Sequence, residues 1–263
     1  MTLRITQTFA ALKAANSTAF VGYMMGGDPD RGASQALLNA LPKAGVDIIE
    51  LGMPFTDPAA DGPTIEDAGL RSLKAGTTLT DILDMAAEFR KTNETTPLII
   101  MGYCNPVHHM GYAAFSARAK AAGIDGAIIV DLPPEEDSEL RAAFEVHDLA
   151  LIRLATPTTD AARLPKVVAG TKGFVYYVSM TGITGAAFAK GGDIKDQVAA
   201  VRAASGLPVV VGFGVKTPER AAEVAKDADG VVVGSAIVET FHKDGHDAAI
   251  KLVRSLAEAA HQA

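Results

Sequence analysis

DIIELGMPFTDPAADGPT, residues Asp47–Thr64, runs an apolar strand directly into a loop of carboxylates. Ile48, Ile49 and Leu51 form a short β-branched-rich run suited to a strand buried on both faces, as in a parallel sheet. Glu50 interrupts it where an ionised carboxylate is costly to bury. Beyond Gly52, the residues Pro54, Pro58, Gly62 and Pro63 disfavour regular structure, so Thr56, Asp57 and Asp61 are expected on a stiffened loop close to Glu50. Two carboxylates in different surroundings suit acid–base chemistry. The structural alternative is a strand-end glutamate paired with Lys or Arg, followed by two solvated turn aspartates.

The unit around this stretch recurs along the chain. Ala44-Gly45-Val46-Asp47, Ala122-Gly123-Ile124-Asp125 and Ala228-Asp229-Gly230 each precede an apolar run, and glycine there reads as a helix end. Eight runs read as strands: Ala19–Met25, Ile48–Leu51, Leu98–Gly102, Ala127–Val130, Leu151–Leu154, Phe174–Val178, Val209–Gly212 and Gly230–Val233. Helical patterns lie around Ser34–Lys43, Thr80–Lys91, Ala113–Ala121, Glu135–His147, Ala161–Val168, Lys195–Ala203 and Glu219–Lys226, with a last one near Ala248–Ala260. Strand alternating with helix implies parallel pairing through right-handed crossovers, and eight such units close into a (β/α)8 TIM barrel. The rival is an open doubly wound sheet, but no GxGxxG follows the first strand. An additional N-terminal helix over Ile5–Ala14 is expected to cover the barrel floor. No Pro/Ser-rich linker or low-complexity segment divides the chain, which predicts one domain over residues 1–263.

With 263 residues, 48% of them hydrophobic, the chain can bury a large core. The net charge of −7 has no long runs, which argues against nucleic-acid or anionic-membrane partners and for small molecules or proteins. The lone cysteine, Cys104, excludes an internal disulfide and fits a reducing compartment; it reads as a small buried apolar residue rather than a catalytic thiol. Lys13 interrupts TFAALKAA, and no apolar run is long enough to cross a bilayer, so a cytoplasmic location is expected. Six histidines show no HExxH and no cluster at ligand spacing, so no metal site is expected.

In a barrel, function belongs at the carboxyl ends of the strands. There the chain places Gly26-Gly27-Asp28-Pro29, the acidic loop, Tyr103-Cys104-Asn105-Pro106 and Asp131-Leu132-Pro133-Pro134. The last three strands lead into Gly182-Ile183-Thr184-Gly185, Gly212-Phe213-Gly214 and Gly234-Ser235. Glycines let backbone amides approach an anion, and helix N-termini add free N–H groups, so a phosphate-bearing substrate is expected.

These residues also carry a resemblance. ELGMPFTDPAADGPTI (Glu50–Ile65) resembles the signature of the tryptophan synthase α subunit family. FVGYMMGGDP (Phe20–Pro29), MGYCNPV (Met101–Val107), VDLPPEE (Val130–Glu136), YYVSMTGITG (Tyr176–Gly185), VGFGV (Val211–Val215) and GSAIVE (Gly234–Glu239) follow in the family's order. The resemblance implies a TIM barrel that cleaves indole-3-glycerol phosphate to indole and glyceraldehyde 3-phosphate. No cofactor is implied in this chain. The indole would pass to a pyridoxal-phosphate-dependent β subunit in an α2β2 heterotetramer. By the same resemblance Glu50 is the acid–base group, Asp61 lies beside the indole N–H, and Tyr176 is an active-site tyrosine. Gly185, Gly214, Gly234 and Ser235 would hold the phosphate, and Tyr23, Tyr103, Phe213 and Val232 the indole. Thr184 would take part in loop closure, and Pro54, Asp57, Asn105 and Pro133 would face the partner. The chain departs from the family at Met180 (usually Arg), Thr56 (Ser), Ala59 (Leu), and at Glu66, Asp67 and Gly69, which replace amides. A stand-alone indole-3-glycerol-phosphate lyase, or another phosphate-binding barrel enzyme, is the alternative.

Overall fold

The computed structural model describes residues 3–178, 194–212 and 214–263. Met180, Thr184, Gly185 and Phe213 lie outside the described residues. The strands are β1 (Ala19–Met25), β2 (Ile48–Gly52), β3 (Leu98–Gly102), β4 (Gly126–Ile129), β5 (Ala150–Leu151), β6 (Arg153–Ala155), β7 (Val175–Val178), β8 (Val209–Gly212) and β9 (Gly230–Val233). They lie in the order β5-β4-β3-β2-β1-β9-β8-β7-β6, and every pairing is parallel. β5 and β6, at the two ends of that order, flank Ile152 and together make the one fifth strand expected from sequence. Ile152 still donates to Ala127 O at 3.0 Å. The sheet therefore closes, apart from the break at Ile152, into the expected (β/α)8 barrel.

The helices among the described residues are α1 (Leu3–Ala14), α2 (Arg31–Ala40), α3 (Pro63–Lys74), α4 (Leu79–Arg90), α5 (Cys104–Met110) and α6 (Tyr112–Ala121), then α7 (Ser138–Val146), α8 (Leu164–Val168), α9 (Ile194–Ser205), α10 (Pro218–Ala225), α11 (Ser235–Asp244) and α12 (His246–His261). Two of them correct the sequence reading. α3 begins at Pro63, where the irregular loop was expected to continue; a proline at the first helical position lacks only an N–H that would go unpaired there anyway. α5 likewise carries Pro106 in its first turn, within a segment read from sequence as loop. The repeated glycine holds at two of its three positions: Gly45 (φ 103°) and Gly123 (φ 78°) are left-handed. Gly230 instead belongs to β9, where close packing by Val210 and Ala19 leaves little room for a side chain.

Side chains alternate across each strand, so the barrel has two apolar layers. Phe20, Ile49, Leu51, Ile100 and Val211 face the helices. Val21, Ile48, Ile99, Ile128, Ile152 and Val210 fill the interior with Ile5 and Phe9 of α1. α1 thus closes the barrel floor as expected: the Phe9 and Phe174 rings lie 5.9 Å apart, and Arg4 Nη1 bonds Asp125 Oδ1 at 2.9 Å. Among the described residues no helix is long and apolar enough to cross a membrane.

Candidate active site

Alternation decides where Glu50 points. Ile48 faces the interior, so Glu50, two residues on, faces it too, in register with Tyr23 of β1 and Ile99 of β3. Its side chain is 0% exposed, and neither carboxylate oxygen has a hydrogen-bond partner among the described residues. The ion-paired alternative finds no partner among the described residues. Burial raises the Glu50 pKa to about 8, so the group holds its proton at neutral pH.

Two tyrosines flank it. Burial holds the hydroxyls of Tyr23 and Tyr176 in the neutral form, reinforced for Tyr23 by the charges of Asp61 and Glu50 and for Tyr176 by Glu50. Each tyrosine fits because a neighbouring strand ends in glycine. A Cβ at Gly52 would overlap the Tyr23 hydroxyl, and one at Gly212 the Tyr176 hydroxyl.

The acidic loop brings Asp61 over this group. Tyr103, just past β3, reaches into the loop: its hydroxyl accepts from the Ala60 N–H at 3.1 Å and holds down the pKa of the neighbouring Asp61. Phe55 stacks on the Tyr103 ring at 5.2 Å. By resemblance Tyr103 falls at the indole pocket or its surround; its contacts here also make it a brace for the loop. Asp61 is half-buried, and burial raises its pKa to about 6, with the Tyr103 hydrogen bond opposing and Glu66 adding to the rise. The two carboxyl groups therefore differ in protonation near neutrality.

A cavity of about 940 Å³ opens at the carboxyl ends of the strands. Tyr23, Asp61, Tyr176, Gly214, Val232, Gly234 and Ser235, all singled out from sequence, line it together. So do Met101, Val130, Leu154 and Lys216, which were not. Strand alternation from Ile99, Ile128 and Ile152 would have found the first three, whereas Lys216 had no signal beyond following Gly214 by two residues. At one end Gly234 caps α11 without a side-chain hydrogen bond, and the first turn of α11 holds no acidic residue. Gly214 has φ 79°, a conformation open to glycine. The combination leaves amide donors and a positive helix end facing the cavity.

Of the remaining positions, Asp57, Asn105 and Pro133 are exposed and Pro54 is buried. Asp131 Oδ1 accepts from the Cys104 N–H at 2.7 Å, joining the segments after β3 and β4. Among the described residues no group of three or more His, Cys, Asp or Glu is placed to hold a metal ion.

The sequence model of the family described as tryptophan synthase alpha chain matches residues 9–263. A solved chain from Aquifex aeolicus is similar at 38% identity and TM-score 0.91, covering 98% of this chain and 99% of that one. The tryptophan synthase alpha chain of Legionella pneumophila subsp. pneumophila is similar at 39% identity and TM-score 0.88, covering 98% and 97%. A chain of Mycobacterium tuberculosis tryptophan synthase is similar at 38% identity and TM-score 0.91, covering 98% of each. With its fold and nearly its whole length matched, this chain belongs to the tryptophan synthase alpha chain family.

Proposed function

We propose that this chain is the α subunit of tryptophan synthase and cleaves indole-3-glycerol phosphate to indole and glyceraldehyde 3-phosphate. The observation that carries the mechanism is the pair of carboxyl groups with pKa values of about 8 and about 6. Near pH 7 Glu50 is protonated and Asp61 is ionised. Glu50 gives its proton to indole C3, which places positive charge on the ring and its nitrogen. Asp61, beside the ring N–H, stabilises that charge. The Glu50 carboxylate then takes the proton of the hydroxyl on the adjacent carbon. The oxygen electrons form the aldehyde, the carbon–carbon bond breaks, and its electron pair returns to C3 to restore the aromatic ring. The proton inventory closes, since Glu50 ends as it began, and no organic cofactor enters the step. Tyr176 and Tyr23 wall the reacting carbon in an apolar setting that keeps the Glu50 pKa high.

Gly214, Gly234 and Ser235 hold the phosphate, and the family resemblance adds Gly185 to them; binding there positions the bond to be broken. Val232 and Tyr23 lie against the indole; the family resemblance assigns Thr184 to loop closure and Phe213 to the indole pocket. Pyridoxal phosphate belongs to the β subunit, which receives the indole at the rim carrying Asp57, Asn105 and Pro133. A lone cysteine and the absence of a spanning helix among the described residues support a cytoplasmic setting.

The test is the pH dependence of kcat/KM for indole-3-glycerol phosphate. A bell is expected, rising as Asp61 ionises near pH 6 and falling as Glu50 loses its proton near pH 8. Glu50→Gln should lose about 10²–10⁴-fold in turnover while retaining substrate binding. Near-normal turnover in that variant refutes the assignment.

A further inference from the structure

Three cations line the cavity among its described residues: Arg153, Arg163 and Lys216. Two already have carboxylates. Arg153 bonds Asp137 and the carbonyls of Val167 and Ala169, and Arg163 Nη1 lies 2.8 Å from Glu135 Oε1. Lys216 has no ion pair among the described residues; Glu239, on α11, feels its charge only at longer range. Lys216 is exposed, lines the same cavity as Gly234 and Ser235, and stands two residues beyond Gly214 on the loop after β8, the strand paired with the β9 that leads into α11.

We propose that the Lys216 ammonium binds the substrate's phosphate through its side chain and makes the pocket select a phosphate dianion. The inference rests on the lyase reading above, and it adds a charge that the backbone site lacks. A phosphomonoester carries between one and two negative charges near pH 7, with a second pKa of about 6. A helix N-terminus offers only about half a positive charge. The start of α11 brings no acidic residue that would oppose an anion and no side-chain cap that would compete for its amides. Backbone amides supply hydrogen bonds but no net charge, so the dianion is under-neutralised without a cation. Lysine suits that place, because its compact charge on a flexible stem stays hydrated until an anion arrives and then meets it without a fixed geometry.

The experiment uses the full chain as wild type, Lys216→Ala and Lys216→Arg. Calorimetric titration with glycerol 3-phosphate and, separately, with indole is combined with steady-state cleavage of indole-3-glycerol phosphate. Lys216→Ala should weaken glycerol 3-phosphate binding about tenfold and raise KM by a similar factor with kcat little changed. Its affinity for indole should match wild type, and Lys216→Arg should recover most of the loss. In the wild type, affinity for glycerol 3-phosphate should increase as pH rises through about 6, where the dianion forms, and this increase should be shallower in Lys216→Ala. Equal affinity for glycerol 3-phosphate in wild type and Lys216→Ala overturns the proposal, as does a parallel loss of indole binding, which would mark a distorted pocket. If the wild type neither binds glycerol 3-phosphate nor cleaves the substrate, the lyase reading itself fails and this inference falls with it. Cleavage and binding that are normal in the wild type and unchanged in Lys216→Ala sink the Lys216 assignment alone.

Discussion

Glu50 sits on the inner face of β2 with no hydrogen-bond partner among the described residues, so its pKa is a statement about stability as well as chemistry. The folded value of about 8 lies above the ordinary 4.5, so the native state holds the proton more tightly than the unfolded chain. The cost of this residue is absent below the unfolded value, grows as pH rises from there towards 8, and is constant above it. Glu50→Gln keeps the shape and removes the charge. It should therefore be more stable than wild type at alkaline pH, by roughly 2–4 kcal/mol, and nearly equal to it in mild acid. Urea unfolding of both proteins at about pH 5 and about pH 9 checks this. A stability difference that does not change with pH would show that the carboxylate is not desolvated as described. The same substitution is expected to remove most turnover, so on the proposed mechanism the fold at this position is less stable than it could be because the reaction needs the carboxyl group.

At the scale of elements, the acidic loop is fixed at both ends by structure that its own residues do not announce. β2 delivers it from the barrel wall, and α3 receives it at Pro63. Between them, Tyr103 from beyond β3 ties down Ala60 and lowers the pKa of Asp61. Sequence showed that the loop is stiff and acidic and follows a strand. It did not show the brace, because Tyr103 is more than forty residues away from Asp61 and meets it only when β3 lies beside β2. Tyr103→Phe deletes the hydroxyl that lowers the Asp61 pKa. The acid limb of the rate profile should then move to higher pH, with kcat near pH 7 down by about tenfold and KM close to normal. An unmoved acid limb, with activity lost at every pH alike, would mean that Tyr103 serves only to pack the loop.

At the scale of the whole molecule, the barrel separates stability from chemistry by its two ends. Ile5 and Phe9 of α1 plug the floor beneath the inner layer, while the cavity opens at the carboxyl ends of the strands. Ile5 is fully buried, so Ile5→Ala should cost about 2–4 kcal/mol by leaving a cavity under the barrel. The substrate's kcat/KM at low temperature should be close to wild type. Thermal unfolding paired with steady-state kinetics tests this, and a large loss of activity without a loss of stability would show that the floor and the site are coupled.

The order of strands and helices, the parallel sheet and its closure were fixed by local chemistry: short β-branched runs, amphipathic helical patterns, and left-handed glycines at Gly45 and Gly123. Those signals lie within a few residues of the elements they specify. The inward direction of Glu50 also follows locally, from its two-residue offset to Ile48. Sequence could not decide between an ion-paired glutamate and a desolvated one, because that depends on what other strands bring to the barrel interior. Only the closed sheet places Tyr23, Tyr176 and Ile99 around Glu50 and leaves its carboxyl group without a partner among the described residues. Nor could sequence find Lys216, since one exposed lysine among many gains meaning only when the barrel's curvature turns its loop towards the start of α11. Periodicity and turn chemistry act along the chain, whereas desolvation and charge pairing act across it.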